Sequence, residues 1–370
     1  MSRPKRSHRG RWLRLVIIVG ALIGFAYAYR FALRYRERVG LPHRSPVETS
    51  PREFGLAFED VSIPAGDYGL TGWFVPAGPD GPAPRRRRAA AAATPEPRPG
   101  IVITHGWESN RGRTFAHVRY LHAAGFHCLV FDVRGHGDSP EETLPMNVPE
   151  FAEDTAAAVH WLATRLEVSA VGVLGHSMGG AGAIIAASRE PEIGAVVSLS
   201  APADLVRMTR KTFDMAEMNV PKPVAAPLAF ITAAVLLAPR RHSLADASAV
   251  LAAAKYRGPL LLIHGEQDHG VPVAHVRLIQ EAAREARGPE DPAVEVLILP
   301  EFGHRWLYED AGCRRTTAAF FAAALGGPVA PEEAGERAAA CIVERPADPV
   351  YGFGALASGS VPANRTTAAN

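Results

Sequence analysis

Short apolar runs alternate with longer amphipathic segments over most of the chain. Runs rich in Val, Ile and Leu without polar alternation are typical of strands buried on both faces. They occupy residues 101–104, 127–131, 169–174, 194–199, 259–264 and 294–299. Residues 149–166 instead repeat apolar side chains at helical spacing, as a helix packed on a sheet does. The alternation predicts an α/β domain with a mostly parallel sheet and helices on both faces.

Three flanking or inserted segments differ from this pattern. Residues 56–63 and 70–75 predict two strands that lead antiparallel into the sheet. Between them and the next strand, residues 78–99 combine prolines with Arg85–Arg88, which repel one another and predict a mobile basic loop. Contact of this loop with anionic lipid headgroups is the alternative. Residues 326–370 are rich in Ala, Pro, Gly and Ser and predict a mostly disordered tail. The patterned region, residues 46–325, is large enough for one core.

The N-terminal region holds a long uncharged apolar segment, Leu15–Tyr29. A helix from Trp12 to Leu33 would reach about 33 Å, which is enough to cross a bilayer. We therefore expect residues 1–45 to form a single transmembrane anchor and a linker. A removed signal peptide is the alternative, because Ala26–Ala28 resembles a small-residue cleavage site.

Basic residues on the two sides of this segment indicate its orientation. Residues 1–14 contain six Lys and Arg, whereas residues 30–44 contain five Arg. The small excess predicts a cytoplasmic N-terminus and an extracytoplasmic domain.

The composition mainly excludes certain partners and types of site. The 370 residues include 40 Lys and Arg and 38 Asp and Glu, and this net charge of +2 gives no indication of a nucleic-acid partner. The three cysteines are isolated, which predicts neither a disulfide framework nor a zinc site. No GxxxxGKS/T, HExxH or paired CxxC motif is present, so we expect no cofactor and no metal.

Gly175-His-Ser-Met-Gly179 lies between an apolar strand and a run of small residues that predicts a helix. In this strand–turn–helix context a G-x-S-x-G motif exposes a serine hydroxyl, and the glycines avoid collisions with the adjoining strand and helix. Ser177 is therefore the predicted nucleophile. The N–H of Met178, at the helix N-terminus, is a predicted oxyanion donor.

A serine nucleophile needs a base and an acid that orients the base. In sites built on this motif the acid and then the base follow the serine along the chain. Asp268 follows the strand 259–264, and His304 follows the strand 294–299. These two residues are the predicted acid and base.

Each assignment has an alternative. Asp268 could cap the helix predicted near Pro272, Glu266 could be the acid, and His304 could be an ordinary loop residue. Further histidines that we expect at the same sheet edge are interpreted as fixing loop geometry; they are His105, His136 and His176.

The second oxyanion donor is expected in the loop after the strand 101–104. Gly106 lets the backbone approach the site there, and the N–H of Trp107 is the predicted donor. The polar loop 132–139, at the same edge, is expected to shape the mouth of the pocket.

The His105-Gly106 pair, the loop Arg134–Ser139 and Gly175-His-Ser-Met-Gly-Gly180 resemble the α/β-hydrolase superfamily, most closely its monoacylglycerol-lipase and serine-aminopeptidase-like branch. The resemblance covers residues 55–325 and is much more specific for fold and nucleophile than for substrate. It implies the α/β-hydrolase fold, with the acid, base, nucleophile and oxyanion donors named above. A serine nucleophile disfavours the halide-hydrolysing chemistry of members that carry Asp there.

Such hydrolases insert a lid before the strand that leads to the acid, which here corresponds to residues 204–255. Within it residues 224–238 are strongly apolar, and we expect Phe230 and Leu236 to line an acyl pocket; plain core packing is the alternative. The expected activity is cleavage of a small-molecule ester with an apolar acyl group, through an acyl-enzyme. An acyltransferase, peptidase or thioesterase with the same triad, or a non-catalytic binding protein, are the alternatives. The sequence indicates no oligomeric state. No predicted catalytic residue precedes Pro46, so the chain from there on is expected to suffice for small esters.

Overall fold

The computed structural model describes residues 8–78, 96–215, 218 and 220–343. The predicted basic loop, with Arg85–Arg88, falls outside the described residues except at its two ends. The tail beyond residue 343 also lies outside them.

Eight strands in the described part of the chain form one sheet. They are β1 Glu59–Ala65, β2 Tyr68–Val75, β3 Arg98–Thr104, β4 His127–Phe131, β5 Val168–His176, β6 Ile193–Leu199, β7 Leu260–Gly265 and β8 Val294–Leu299. Their order is β1-β2-β4-β3-β5-β6-β7-β8. The β1–β2 and β2–β4 pairs are antiparallel and all others are parallel. The carboxyl ends of the parallel strands therefore share one edge.

The described helices include those that cover both faces of this sheet and those that pack mainly on one another. They are α1 His8–Val39, α2 Phe115–Ala123, α3 Val148–Ala163, α4 Met178–Ala187, α5 Leu205–Met215, α6 Lys222–Leu237, α7 Ala249–Ala253, α8 Ala274–Ala286, α9 Ala311–Leu325 and α10 Pro331–Ala340. One large apolar cluster joins the sheet to α3, α4, α7 and α8, and a second joins it to α2, α9 and α10. The predicted α/β class, a mostly parallel sheet between two helical layers, is confirmed.

The helix α10 corrects the prediction of a disordered tail over residues 326–370. Ala334 and Ala338 are fully buried. Arg314 of α9 donates hydrogen bonds to the carbonyl oxygens of Ala338 and Ala339, at 3.1 and 2.8 Å. Alanines offer little apolar surface, which is why this composition resembles disorder. Their small side chains nevertheless let two helices approach closely enough to bury both faces.

The helix α1 is longer than the predicted span, and its last turns pack on the globular domain. Residues 11–27 are exposed, whereas Ala32 and Tyr35 are buried. The rings of Phe31 and Tyr35 meet Phe213 of α5 edge-on, with centroids 5.5 and 5.7 Å apart. The expected division at residue 45 therefore does not separate an anchor from the domain.

The segment 204–255, the expected lid, forms α5, α6 and α7 between β6 and β7. A third apolar cluster joins α5 and α6 to the end of α1, with Ala229, Ala233 and Leu236 of α6 among its buried members. The end of α1 thus packs on α5 and α6 of this insertion.

Candidate active site

Ser177 occupies a strained turn between β5 and α4. Its φ of 56° and ψ of −120° are angles that residues with a side chain rarely adopt. A Cβ on Gly175 would lie 2.2 Å from the carbonyl oxygen of Gly179, so the tight turn requires glycine there. The N–H of Ser177 donates to the carbonyl oxygen of Leu199 at 2.8 Å, which ties the turn to β6. This turn holds the serine at the carboxyl edge of the sheet.

The structure brings Ser177, Asp268 and His304 together from distant parts of the chain. His304 Nε2 lies 3.0 Å from Ser177 Oγ, and His304 Nδ1 lies 2.7 Å from Asp268 Oδ2. Ser177 and Asp268 are both 4% exposed. In this arrangement an imidazole can accept the serine proton while a carboxylate holds its other nitrogen.

The buried Asp268 carboxylate has several hydrogen-bond donors. Its Oδ1 accepts from the N–H groups of Gly270 and Val271, at 2.9 and 2.7 Å. Burial by itself would raise the pKa of Asp268, but the hydrogen bonds from His264 and His304 and from the N–H of Val271 lower this pKa well below its ordinary value. The carboxylate is therefore ionised at neutral pH and can stabilise a protonated imidazole.

The alternatives for the acid have different surroundings. The side chain of Glu266 is exposed, and the carboxylate that bonds the imidazole is that of Asp268. The helix α8 begins at Ala274 with Val273 at its cap position. The backbone bonds of Asp268 accordingly stabilise its own loop and not the start of α8.

The neighbouring histidines hold the loops of this edge. His176 Nε2 donates to the carbonyl oxygen of His304 at 2.8 Å. His105 Nε2 accepts from the N–H of Val133 at 3.0 Å, and its Nδ1 donates to the carbonyl oxygen of Gly106 at 2.7 Å. Burial lowers the pKa of His176 to about 3 and that of His105 to about 4, so both rings are neutral. His136 likewise bonds the carbonyl oxygen of its own loop.

His264 is a residue of the site that the sequence analysis missed. It is fully buried at the end of β7. Its Nε2 lies 2.7 Å from the carbonyl oxygen of Val271 and 3.4 Å from Asp268 Oδ2, under the loop of the acid. The available signal was a single polar residue that ends an otherwise apolar strand at the functional edge.

The two predicted oxyanion donors lie beside Ser177. Met178 is the first residue of α4, and N–H groups in a first helical turn have no acceptor within the helix. Trp107 follows Gly106, where a Cβ would lie 3.0 Å from the Ser177 Cβ, so glycine permits the close approach of this loop. Trp107 and Met178 line the same cleft as Ser177.

This cleft encloses about 860 Å³ of empty space, including its open mouth. Most of its lining is apolar and includes Val148, Leu205, Met208, Leu236, Ala247 and Val271. Phe230 is not in the lining and is 56% exposed. Phe230 and Leu236 are six positions apart, which puts them about 120° apart around a helix. Only Leu236 of the predicted pair therefore faces the cleft.

This chain is similar to known proteins over part of its length. The family described as serine aminopeptidase, S33, matches residues 95–229, which include Ser177 and precede Asp268 and His304. Protein ABHD12B of Homo sapiens is 26% identical over 216 residues, 56% of this chain and 56% of that protein. The match thus spans just over half the length of the human relative. The monoacylglycerol lipase of Mycolicibacterium smegmatis is 29% identical over 210 residues, 50% of this chain and 75% of that protein.

An esterase of Pyrococcus furiosus superposes on 78% of this chain and 98% of its own, with a TM-score of 0.59 and 22% identity. Together with the mixed sheet and the serine turn, this likeness shows the fold. The chain has the α/β-hydrolase fold. The proteins that this chain resembles include a monoacylglycerol lipase and an esterase. The sequence analysis predicted a resemblance to hydrolases of this kind.

Proposed function

We propose that this α/β-hydrolase cleaves carboxylic esters through an acyl-enzyme on Ser177. The main support is the hydrogen-bonded series from Asp268 through His304 to Ser177, at 2.7 and 3.0 Å, beside an apolar cleft. The esterase and lipase relatives support an ester as the substrate.

The chemistry follows from these contacts. His304 Nε2 takes the Ser177 proton as the Oγ attacks the ester carbonyl, and the N–H groups of Trp107 and Met178 stabilise the oxyanion. The alcohol then leaves with the proton from His304. Water attacks the acyl-enzyme by the same route and releases the acid, while Asp268 keeps the imidazole in its productive tautomer.

The lining of the cleft favours an uncharged substrate with an apolar acyl group. In the described part of the chain the lining includes Glu108 and Asp204 but no Lys or Arg. The Asp204 carboxylate is paired with Arg207, and Glu108 Oε1 lies 2.8 Å from His43 Nδ1, so both already have polar partners. An acyl chain would bury apolar surface against Leu205, Met208 and Leu236. A neutral ester such as an acylglycerol fits this chemistry.

An aminopeptidase is the second candidate, because two acidic residues, Glu108 and Asp204, line the cleft and the matched family is described as an aminopeptidase. The two candidates differ in the leaving group and in the charge of the substrate. A single substrate panel therefore separates them.

The full-length protein in detergent should hydrolyse p-nitrophenyl decanoate with a kcat/KM on the order of 10²-fold above that for the acetate, the effect of burying about three or four of the added methylenes at about 0.8 kcal/mol each. Aminoacyl p-nitroanilides should be poor substrates. A preference for aminoacyl p-nitroanilides over the esters would instead support the peptidase.

Adding glycerol tests for an acyltransferase, since acylglycerol formed in excess of free acid would show that an alcohol outcompetes water.

We also propose that α1 anchors the protein in a membrane, with the catalytic domain outside the cytoplasm. An N-terminal apolar helix fits a membrane anchor or a signal sequence. The apolar window within Arg11–Val39 has a mean hydropathy of 1.9 and is 6% buried. Lys222–Arg240 is also long and apolar enough to cross a membrane, but its apolar window is 39% buried in the domain. The exposed part of α1, residues 11–27, is therefore the better candidate for lipid contact on all sides.

The full-length protein should stay with membranes through high-salt and carbonate washes and leave them only in detergent, because a spanning helix is not released by ionic screening. Recovery of a soluble chain that begins at Tyr29 would instead show a removed signal peptide.

Protease added to intact cells should digest the domain, if the domain lies outside the cytoplasm. Complete protection would place it in the cytoplasm.

A further inference from the structure

Part of the wall of the cleft comes from α1, outside the segment expected to hold the hydrolase. Tyr35 and Val39 both line the cleft beside Ser177. They are four residues apart, so they lie on one face of α1. On the other sides the cleft is lined by Leu205 and Met208 of α5 and by Leu236 of α6, among others.

The position of this part of α1 is fixed by contacts with α5 and α6 of the insertion. The Tyr35 ring is 9% exposed and packs edge-on against Phe213 of α5. Burial raises the pKa of Tyr35, and a hydrogen bond with Thr212, which also lines the cleft, opposes this rise. Arg36 donates to the carbonyl oxygen of Val235 in α6, at 3.4 Å. Because the end of α1 is held by both α5 and α6, its side chains can define the size of the cleft.

We propose that Tyr35 and Val39 are specificity-determining residues, which set the length of the acyl chain that the cleft accepts. The proposal rests on the proposed function for the identity of the ligand as an acyl group. The helix that contains the candidate anchor then also forms part of the substrate pocket. A larger side chain at position 39 shortens the space for the acyl chain, and a smaller one lengthens it.

The test compares full-length variants in detergent over p-nitrophenyl esters from acetate to dodecanoate. Val39→Phe should lower kcat/KM for the decanoate about 50-fold, the effect of about three methylenes that lose their burial, and change the acetate little. Val39→Ala and Tyr35→Ala should move the preferred ester to a longer chain. Leu33→Phe, on the same helix but outside the cleft lining, is the matched control and should leave the profile unchanged.

A binding assay makes the result independent of turnover. In the Ser177→Ala background, Val39→Phe should weaken binding of the uncharged ether 1-O-decylglycerol and leave that of 1-O-butylglycerol unchanged. Chain-length profiles that stay the same in folded Val39→Phe and Val39→Ala, in either assay, would overturn the inference. If Val39→Phe fails to fold, the opposite shift expected for Val39→Ala still decides it. If ether binding shifts as expected but the protein that retains Ser177 hydrolyses no ester, the proposed function is rejected and the inference about chain length is kept.

Discussion

Ser177→Ala should lower kcat for the best ester on the order of 10⁶-fold, as removal of a nucleophile does in comparable triads. The variant loses the hydroxyl oxygen that lies 3.0 Å from His304 Nε2, and alanine can occupy the same backbone turn as serine. The fold should therefore be retained. The decisive measurements are kcat for the ester and covalent labelling by a fluorophosphonate probe, which should disappear in the variant.

Ser188→Ala is the matched control for this prediction. Ser188 follows α4 at its far end, and its hydroxyl bonds the carbonyl oxygen of Ile185 at 2.8 Å. We expect wild-type turnover and labelling. If Ser177→Ala kept more than about a tenth of the activity, against the far larger loss expected of a nucleophile, the acyl-enzyme mechanism would be rejected.

Asp268→Asn should lower kcat roughly 10⁴-fold, because an amide cannot hold the imidazole of His304 in the same tautomer. The loss should be smaller than that of His304→Ala, which removes the base itself and should approach the loss of Ser177→Ala. Steady-state kinetics of the three variants measure this order, and circular dichroism checks that each is folded.

The control for the acid is Glu266→Gln, because Glu266 lies two residues away and its side chain is exposed. It should change kcat by less than about 3-fold, as expected for a surface substitution worth at most about 0.5 kcal/mol. A larger loss for Glu266→Gln than for Asp268→Asn would show that Asp268 is not the acid.

The sequence alone was enough to predict the α/β class and the residues proposed for the triad. Buried parallel strands are continuous apolar runs, and their carboxyl ends converge on one edge whatever the connecting helices do. Polar residues that directly follow these runs, such as Ser177, Asp268 and His304, could therefore be placed at one site from local patterns. Their mutual distances of 3.0 and 2.7 Å are consistent with that placement.

Which faces of the helices meet was decided only by the tertiary structure. The helix α6 is apolar around most of its circumference, so helical periodicity does not identify its buried side. For this reason the sequence did not separate Leu236, in the cleft, from Phe230, outside it. The predicted anchor ended at Leu33, and local patterns did not show that the ring of Tyr35 packs on Phe213 of a distant helix. Burial depends on the neighbour that covers a surface, and that neighbour can come from any part of the chain.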